Sequence, residues 1–436
     1  MMSDKCIARG QWFIVGAAIA TLVGCAESSP PPFRLDMTKI VAQRVSPENQ
    51  LAIANTLDAM FGTPDQPFAM PETGLDERKL KMAAGPVWGN LPGEKRGLYR
   101  RHCAHCHGIN GDGQGPTASI LNPYPRDYRP GVFKFKSTYL SAEPTEEDLR
   151  RVVNDGVPGT AMPAFRLYPP DEVDALVEYV KYLSIRGQME TALVNYVAVE
   201  LEEGATLDPA KDREVIVGEL LTEVIDAWNT ASENVIVPTP DVAPPENRTP
   251  DQVAASVAAG RELFYSATKG NCMQCHGPTA LGDGQQTAYD NWSDANVKFI
   301  AGTHSMVDEI AAMRQELSEL KGDDRDAAEQ DIADKKREYD DRLDLIAHML
   351  QPRTAIPRNL RENVFRGGRR PIDLYWRISA GIAGTPMPGG GPTAPGAPAT
   401  LSELEIWQIV DYVQSLPFEP ASRPERRPVN VEAVIN

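Results

Sequence analysis

The chain has 436 residues, 42% of them hydrophobic, and a formal net charge of −17 at pH 7. That length suits two or three domains, and the hydrophobic content is sufficient for buried cores. The acidic balance argues against nucleic-acid binding, because a negatively charged surface repels phosphate.

Residues 1–25 form a predicted lipoprotein signal peptide. An apolar run from Trp12 to Val23 follows two basic residues and is shorter than the run of about 20 residues that a transmembrane helix needs. The end of the segment resembles a bacterial lipoprotein processing box that stops at Cys25. After cleavage Cys25 would carry the lipid that anchors the protein to a membrane. A secretory signal cut nearby and an uncleaved short anchor are the alternatives.

Residues 26–90 are predicted to be a tether followed by an N-terminal extension. The tether is rich in Ser and Pro. Beyond it, Ser46 followed by Pro47 has the pattern of a helix start, and an apolar stripe continues to Phe61. We expect this helix to pack on the domain that follows.

A C-x-x-C-H motif lies in the next segment, residues 91–187. Two thiols three positions apart can form thioethers with the vinyl groups of one porphyrin, and the adjacent His107 can bind its iron. Met162 follows in a Gly- and Pro-rich loop, where its soft sulfur is a candidate for the opposite axial position. Ordinary packing is the alternative role for this methionine. The predicted binding residues are Cys103, Cys106, His107 and Met162.

Residues 188–250 are predicted to link two units. Two helical segments, residues 188–203 and 212–230, precede a Pro-rich stretch that ends at Pro250. Such a stretch would either let the units pivot or be pinned by the preceding helices.

The same pattern recurs in residues 251–417, so the two units are internal repeats. The chain has only 6 Cys and 6 His, and two chance copies of C-x-x-C-H are therefore not expected. A methionine in a loop of similar sequence again follows the motif. The predicted binding residues of this unit are Cys272, Cys275, His276 and Met387.

The second unit carries an insertion at about residues 305–351. The motif histidine and the loop methionine are 55 residues apart in the first unit and 111 apart in the second. The apolar spacing of the extra segment predicts an antiparallel helical hairpin. Docking to a redox partner and a structural appendage are its two candidate roles. Residues 418–436 form a C-terminal tail.

Basic residues recur at matching positions between motif and methionine in both units. We hypothesise that they bind haem propionates through charge-assisted hydrogen bonds, with a solvated basic face as the alternative. These residues are Arg126, Arg129, Lys134, Arg358, Arg361 and Arg366.

The paired motifs and methionine loops resemble those of di-haem c-type cytochromes built from two class I cytochrome c domains. The resemblance covers residues 91–187 and 251–417. It implies an all-α fold in which a helical and Pro-rich linker joins the domains and the second domain carries the hairpin insertion. It also implies two covalently bound haem c groups, each with a proximal histidine and a distal methionine. For this family, haem attachment takes place on the exported side of a bacterial membrane.

An iron with both axial positions filled shuttles single electrons and binds no substrate. We therefore expect an electron carrier, not an enzyme, that serves unidentified respiratory redox partners on the periplasmic side of the cell envelope. A fixed subunit of a respiratory oxidase or a quinol-oxidising complex is one alternative. A di-haem peroxidase or oxidoreductase is another, with His304 or Met306 replacing an axial ligand. A zinc site built from the two Cys pairs is the third.

Overall fold

The computed structural model describes residues 31–89, 91, 95–202 and 204–422, and this part of the chain is all-α. Isolated β-bridges occur, but the described residues form no β-strand. The prediction of an all-α fold is therefore confirmed. The predicted signal peptide with Cys25 and most of the C-terminal tail lie outside the described residues. Within the described ranges, no helix combines the length and the apolarity that crossing a bilayer requires.

The N-terminal extension contains the helices α1 (Met37–Ala42), α2 (Pro47–Phe61) and α3 (Glu77–Ala83). Ser46 caps α2, because its Oγ accepts the backbone N–H of Asn49 at 3.3 Å. The extension packs on the first domain, where the hydroxyl of buried Tyr182 donates to the carbonyl of Phe61 at 2.6 Å. The extension is therefore part of the same core.

The first domain contains α4 (Leu98–His102), α5 (Ala104–His107), α6 (Glu146–Asp155) and α7 (Pro170–Asn195). A reciprocal cap starts α6: Thr145 Oγ1 accepts the N–H of Asp148, whose carboxylate accepts the N–H of Thr145. Helix α4 has only five residues, and α3 from the extension packs along α7 beside it. The domain thus takes part of its helical scaffold from the extension.

Helix α7 continues beyond residue 187, where we placed the domain boundary. Gly187 lies inside the helix, and a Cβ there would stand 2.4 Å from Arg129 Cα, so only glycine allows this approach. The helix predicted for residues 188–203 is therefore the end of α7, followed by the π-helical turn Tyr196–Glu200.

The linker continues with a π-helical segment, Glu214–Leu221, and α8 (Thr222–Asn229). Trp228 on α8 is buried, and its Nε1 donates to Gln188 Oε1 on α7 at 2.8 Å. The chain then pairs with the first domain, where the N–H of Ile236 donates to the carbonyl of Ser137 at 2.9 Å. These contacts pin the linker to the first domain.

The second domain contains α9 (Pro250–Tyr265), α10 (Met273–His276), α11 (Asn291–Leu317), α12 (Asp323–His348), α13 (Pro371–Ala380) and α14 (Glu403–Ser415). Helices α9 and α14 pack closely at Gly260, where a Cβ would stand 1.9 Å from the carbonyl oxygen of Gln408. Phe264 and Val410 are buried on these two helices. Glycine therefore sets the spacing of this helix pair.

Helices α11 and α12 form the predicted hairpin, which starts earlier than expected. It begins at Asn291 because Asp290 caps α11 by accepting the N–H of Ser293 at 2.9 Å. Helix α12 also packs on α1, and Arg44 Nε, two residues beyond the end of α1, lies 3.3 Å from Glu338 Oε2. The hairpin therefore connects the second domain to the N-terminal extension.

Two apolar cores result. One joins the extension, the first domain and α8, and includes Leu57, Tyr182 and Trp228. The other is formed mainly by α9, α13 and α14, with Phe264 and Trp407 among its members. Two separate cores agree with two repeated domains.

Candidate functional site

A single cavity of about 1170 Å³ is lined by both C-x-x-C-H motifs. This volume exceeds the range of about 300–1,000 Å³ that is usual for ligand pockets. All eight predicted binding residues line it: Cys103, Cys106, His107, Met162, Cys272, Cys275, His276 and Met387. Folding thus brings together two residue sets that are far apart in the sequence.

Each motif histidine is held through its ring by one hydrogen bond. His107 Nδ1 lies 3.0 Å from the carbonyl oxygen of Arg126. His276 Nδ1 lies 3.1 Å from the carbonyl oxygen of Arg358. Because a carbonyl can only accept, the proton belongs on Nδ1, and Nε2 keeps its lone pair for a metal.

Burial sets the protonation of the motif side chains. It lowers the pKa of His107 to about 4 and also lowers the pKa of His276. Both imidazoles are therefore neutral at pH 7, the form that binds a metal. Burial raises the pKa of the Cys103 thiol to about 12 and that of Cys272 to about 11. The first sulfur of each motif thus lies in surroundings that favour an uncharged group such as a thioether.

The two methionine loops share one hydrogen-bond pattern. Thr160 Oγ1 donates to the carbonyl of Val157 at 2.8 Å and accepts the N–H of Met162 at 3.1 Å. Thr385 makes the same two bonds, at 2.8 Å to a carbonyl and 3.3 Å from the N–H of Met387. Both methionines are half-buried at the cavity wall. A threonine therefore fixes the shape of each loop.

Other candidate axial ligands are less well placed. His304 is exposed on α11, Met306 is buried in the hairpin, and neither lines the cavity. His348 is exposed at the end of α12. His102 lines the cavity but packs edge-on against two aromatic rings, and His105 is exposed. In the described part of the chain, no three Cys, His, Asp or Glu side chains form a metal-binding cluster.

Four of the six basic residues predicted to bind propionates line the cavity: Arg126, Lys134, Arg358 and Arg366. The other two, Arg129 and Arg361, do not line the cavity, and each pairs with a carboxylate of the protein. Arg129 is buried against Asp127 at 2.8 Å. Arg361 pairs with Glu419 at 3.0 Å.

The two domains match two cytochrome family models. Residues 92–180 match "Cytochrome C oxidase, cbb3-type, subunit III", and residues 257–417 match "Cytochrome c". The chain is a c-type cytochrome with two cytochrome c domains. A comparison with curated proteins found no match. Among solved structures, the Kuenenia stuttgartiensis reducing HAO-like protein complex is similar at 20% identity, with a TM-score of 0.42, over 73% of this chain and 93% of that one.

Each domain of the cytochrome carries one covalently bound haem c. The charge of the cavity fits two such groups. Its lining contains seven Lys and Arg side chains and two Asp, in a chain that is acidic overall. The surplus of positive charge complements the propionates that two haems would bring.

Three buried donors of the cytochrome also fit haem carboxylates. Arg126 Nη2, Arg358 Nε and Arg366 Nε have no hydrogen-bond partner among the described residues. A buried polar group without a partner is costly, and in native proteins nearly all such groups are satisfied. These atoms therefore mark where negatively charged groups of the cofactors are expected.

The ring of Tyr128, a residue without a predicted role, stacks on the imidazole of His107. The ring centroids are 4.6 Å apart, and the planes differ by 18°. In the second domain of the cytochrome, Leu360 has the matching position, and Phe264 lies tilted at 6.3 Å from His276. An alignment of the two repeats shows a difference at this position, which is Tyr in the first repeat and Leu in the second.

A second missed feature joins the cytochrome's domains at the base of the hairpin. The guanidinium of Arg353 lies over the ring of Tyr124, 3.9 Å from its centroid. The same group donates to the carbonyls of Leu121 at 2.5 Å and Ser119 at 3.1 Å. No local sequence signal predicts this contact, because its two sides are more than 200 residues apart.

Proposed function

We propose that this cytochrome is a di-haem electron carrier in which the two haem c groups occupy the shared cavity. Cys103 and Cys106 attach one haem, and Cys272 and Cys275 attach the other. The observation that supports this most is the convergence of both motifs and both methionine loops on one cavity. Haem c, when bound, supplies one-electron exchange between Fe(II) and Fe(III).

In this proposal the axial ligands are His107 with Met162, and His276 with Met387. The hydrogen bond at each Nδ1 orients the imidazole and raises its basicity, so that Nε2 is ready to bind iron. The threonine of each loop holds the methionine in place. With both positions filled, the chain offers no open site for a substrate, which favours an electron carrier over a peroxidase.

The attachment of the haems is tested with matched double variants. Cys103→Ala with Cys106→Ala removes both sulfurs of one motif, and Cys272→Ala with Cys275→Ala removes those of the other. We expect intact mass and haem content to fall from two haems to one in each variant. Two haems retained in either variant would contradict the assignment.

The axial methionines are tested by Met162→His and Met387→His. Histidine–methionine ligation gives a higher potential than two histidines. We therefore expect each variant to lower the midpoint potential of one haem and to weaken the far-red absorption band of methionine-ligated ferric haem. Unchanged potentials, or turnover of peroxide by the unmodified protein, would speak against the carrier.

A fixed subunit of a respiratory complex is the second candidate. It is favoured by the match of residues 92–180 to a model described as subunit III of a cbb3-type cytochrome c oxidase. Co-purification of other subunits in stoichiometric amount from solubilised membranes would support this candidate. Recovery of the cytochrome alone would support a free-standing carrier.

We also propose that the protein is exported to the periplasmic side and anchored by a lipid on Cys25. The support is the sequence pattern that ends at Cys25. Labelling of the protein with a radioactive fatty acid should be lost in Cys25→Ala and retained in Cys6→Ala, in the same segment. Label that survives Cys25→Ala would contradict the anchor.

A further inference from the structure

We propose that Arg126 and Arg358 are crossed positioning residues that couple the two haem sites. Each holds the motif histidine of its own domain through its backbone and touches the methionine loop of the other domain through its guanidinium. This inference rests on the proposed di-haem function and names the residues through which one site acts on the other.

Arg126 of the first domain contacts both sites. Its carbonyl accepts the hydrogen bond from His107 Nδ1 at 3.0 Å. Its Nη1 and Nη2 lie 3.4 and 3.7 Å from where a Cβ of Gly384 would stand, at the start of the loop that carries Met387. Val132 Cγ1 lies 3.1 Å from the same point. One arginine therefore spans the proximal side of one site and the distal side of the other.

Arg358 of the second domain repeats this arrangement in the opposite direction. Its carbonyl accepts from His276 Nδ1 at 3.1 Å. Its Nη2 and Nη1 lie 3.4 and 3.6 Å from the Cβ position of Gly159, which starts the loop of Met162. Val364 Cγ1 again lies at 3.1 Å. The near-equal distances show that the two halves of the contact are related by an approximate two-fold symmetry.

Glycine is required at both crossing points. Gly159 has φ +73° and Gly384 has φ +71°, a conformation that side chains rarely adopt. A Cβ at either position would also lie 3.1 Å from a valine of the other domain, which is tighter than most Cβ contacts, and within ordinary contact of its arginine. Glycine at these two positions therefore leaves space for the arginine that approaches each loop.

The guanidinium groups have donors left for the cofactors. Arg358 Nη2 donates to Glu362 at 3.1 Å and to the carbonyl of Val364 at 3.3 Å, whereas its Nε has no partner in the described residues. Arg126 Nη2 is likewise unsatisfied there, with the carboxylates of Asp127 and Asp290 as its nearby countercharges. These donors are available to haem carboxylates at the junction of the two sites.

The sign of the coupling follows from electrostatics. A fixed positive charge disfavours the ferric state, because oxidation adds positive charge to the haem. Removing the charge of Arg126 should therefore lower the midpoint potentials of both haems. If an arginine acted only on the haem of its own domain, its removal would change the midpoint potential of that haem alone.

The test is potentiometry on Arg126→Gln and Arg358→Gln in the full-length protein. The backbone carbonyls remain, so the histidine hydrogen bonds persist and only the guanidinium is removed. The potentiometric titration has one step, or wave, for each haem. The substitutions Met162→His and Met387→His, introduced separately, identify which wave belongs to which haem. We expect each arginine variant to lower both waves, and Arg126→Lys, which keeps the charge, to lower them less.

Arg151→Gln is the matched control. Arg151 lies over the ring of Trp376 across the same interface, 5.2 Å from its centroid, and does not line the cavity. We expect both potentials to stay unchanged in this variant. A shift of one wave alone in Arg126→Gln, or an unmoved first-domain wave in Arg358→Gln, overturns the coupling. If neither methionine variant moves a wave, the proposed ligation itself fails, which is a separate result.

Discussion

The two motif histidines have equivalent hydrogen bonds but different neighbours. His107 carries the stacked ring of Tyr128, and the second domain has Leu360 at the matching position. The face of an aromatic ring stabilises nearby positive charge. A ferric iron withdraws electrons from its imidazole, so the stacked ring should favour the oxidised state of the first haem.

This asymmetry predicts the effect of Tyr128→Leu, which makes the first domain resemble the second. Loss of the ring should raise the midpoint potential of the first haem and leave that of the second unchanged. Leu360→Tyr is the reciprocal variant and should lower the potential of the second haem. Redox titration followed by visible spectroscopy measures both, and a fall in the first potential after Tyr128→Leu would contradict the stacking effect.

The sequence was sufficient for residues whose chemistry lies in a short motif. Cys103 and His107 are recognised from five consecutive positions, and Met162 from its loop. It was insufficient for Arg129 and Arg361, which share a pattern with the cavity-lining arginines. Their direction depends on Asp36, 3.5 Å from Arg129, and on Glu419, 3.0 Å from Arg361, and both carboxylates approach only in the folded chain.

At the scale of elements, the helix pair α9 and α14 depends on one glycine. A methyl group at Gly260 would meet the carbonyl oxygen of Gln408 at 1.9 Å, which backbone atoms cannot avoid without moving the helices apart. Gly302 on α11 is also inside a helix, but it is exposed and a Cβ there meets nothing within 4 Å. The two glycines therefore allow the same substitution to be compared at a tightly packed and at an exposed helix position.

We expect Gly260→Ala to lower the free energy of unfolding by about 1–3 kcal/mol through overpacking. Gly302→Ala should instead raise it by about 0.5–1 kcal/mol, because alanine loses less backbone entropy in a helix. Denaturant unfolding followed by circular dichroism measures both changes. Equal effects of the two substitutions would contradict the close packing at Gly260.

A hydrogen-bonded network ties the loop of Glu143 to α7 and α8. Gln188 Nε2 donates to Glu143 Oε1 at 2.6 Å, and Gln188 Oε1 accepts from Trp228 Nε1 at 2.8 Å. Burial raises the pKa of Glu143 to about 7, although Gln188 and Lys136 favour its ionised form. The folded state therefore holds this proton more tightly than the unfolded chain does.

The raised pKa predicts a pH-dependent stability. The contribution of protonated Glu143 is fully present below about pH 4.5 and is lost as the pH rises to about 7. The loss amounts to about 2–3 kcal/mol at most. Glu143→Gln should flatten the dependence of unfolding free energy on pH between 4.5 and 7. The exposed Glu72→Gln is the control, and an unchanged slope in Glu143→Gln would contradict the assignment.

The elements themselves were predictable where periodicity and capping residues agree. Ser46 with Pro47 marked α2, and the apolar spacing of the insertion predicted the hairpin. The early start of α11 at Asn291 and the unbroken run of α7 through Gly187 were not predicted. The run of α7 through Gly187 depends on Arg129, which is distant in sequence and packs against the helix there. The start of α11 depends instead on the local cap of Asp290, a signal that the apolar spacing of the insertion does not contain.

At the scale of the whole molecule, the insertion is an internal brace of the two-domain structure. Helix α12 packs on α1, and Arg353, just beyond the hairpin, bonds to carbonyls of the first domain. The linker adds a third connection through Ile236 and Ser137. None of these contacts has a local sequence signal, which is why the relative arrangement of the domains could not be predicted.

Arg353→Ala should loosen the domain contact. Loss of two hydrogen bonds from a charged group, at about 1.5–3 kcal/mol each when typical, should increase the population of opened molecules at least about tenfold. Limited proteolysis of the Pro-rich stretch, residues 237–250, measures this opening. Arg314→Ala, an exposed arginine of the same hairpin, is the control. Equal cleavage rates in both variants would show that the brace does not hold the domains.

The common cavity also has a consequence for biogenesis. Walls supplied by both halves mean that a porphyrin bonded to either pair of sulfurs becomes enclosed once the halves associate. Formation of the thioethers therefore requires access to each motif before the two halves associate. We expect haem attachment to precede docking of the two halves. A first half without its haem would therefore delay the association of the two domains.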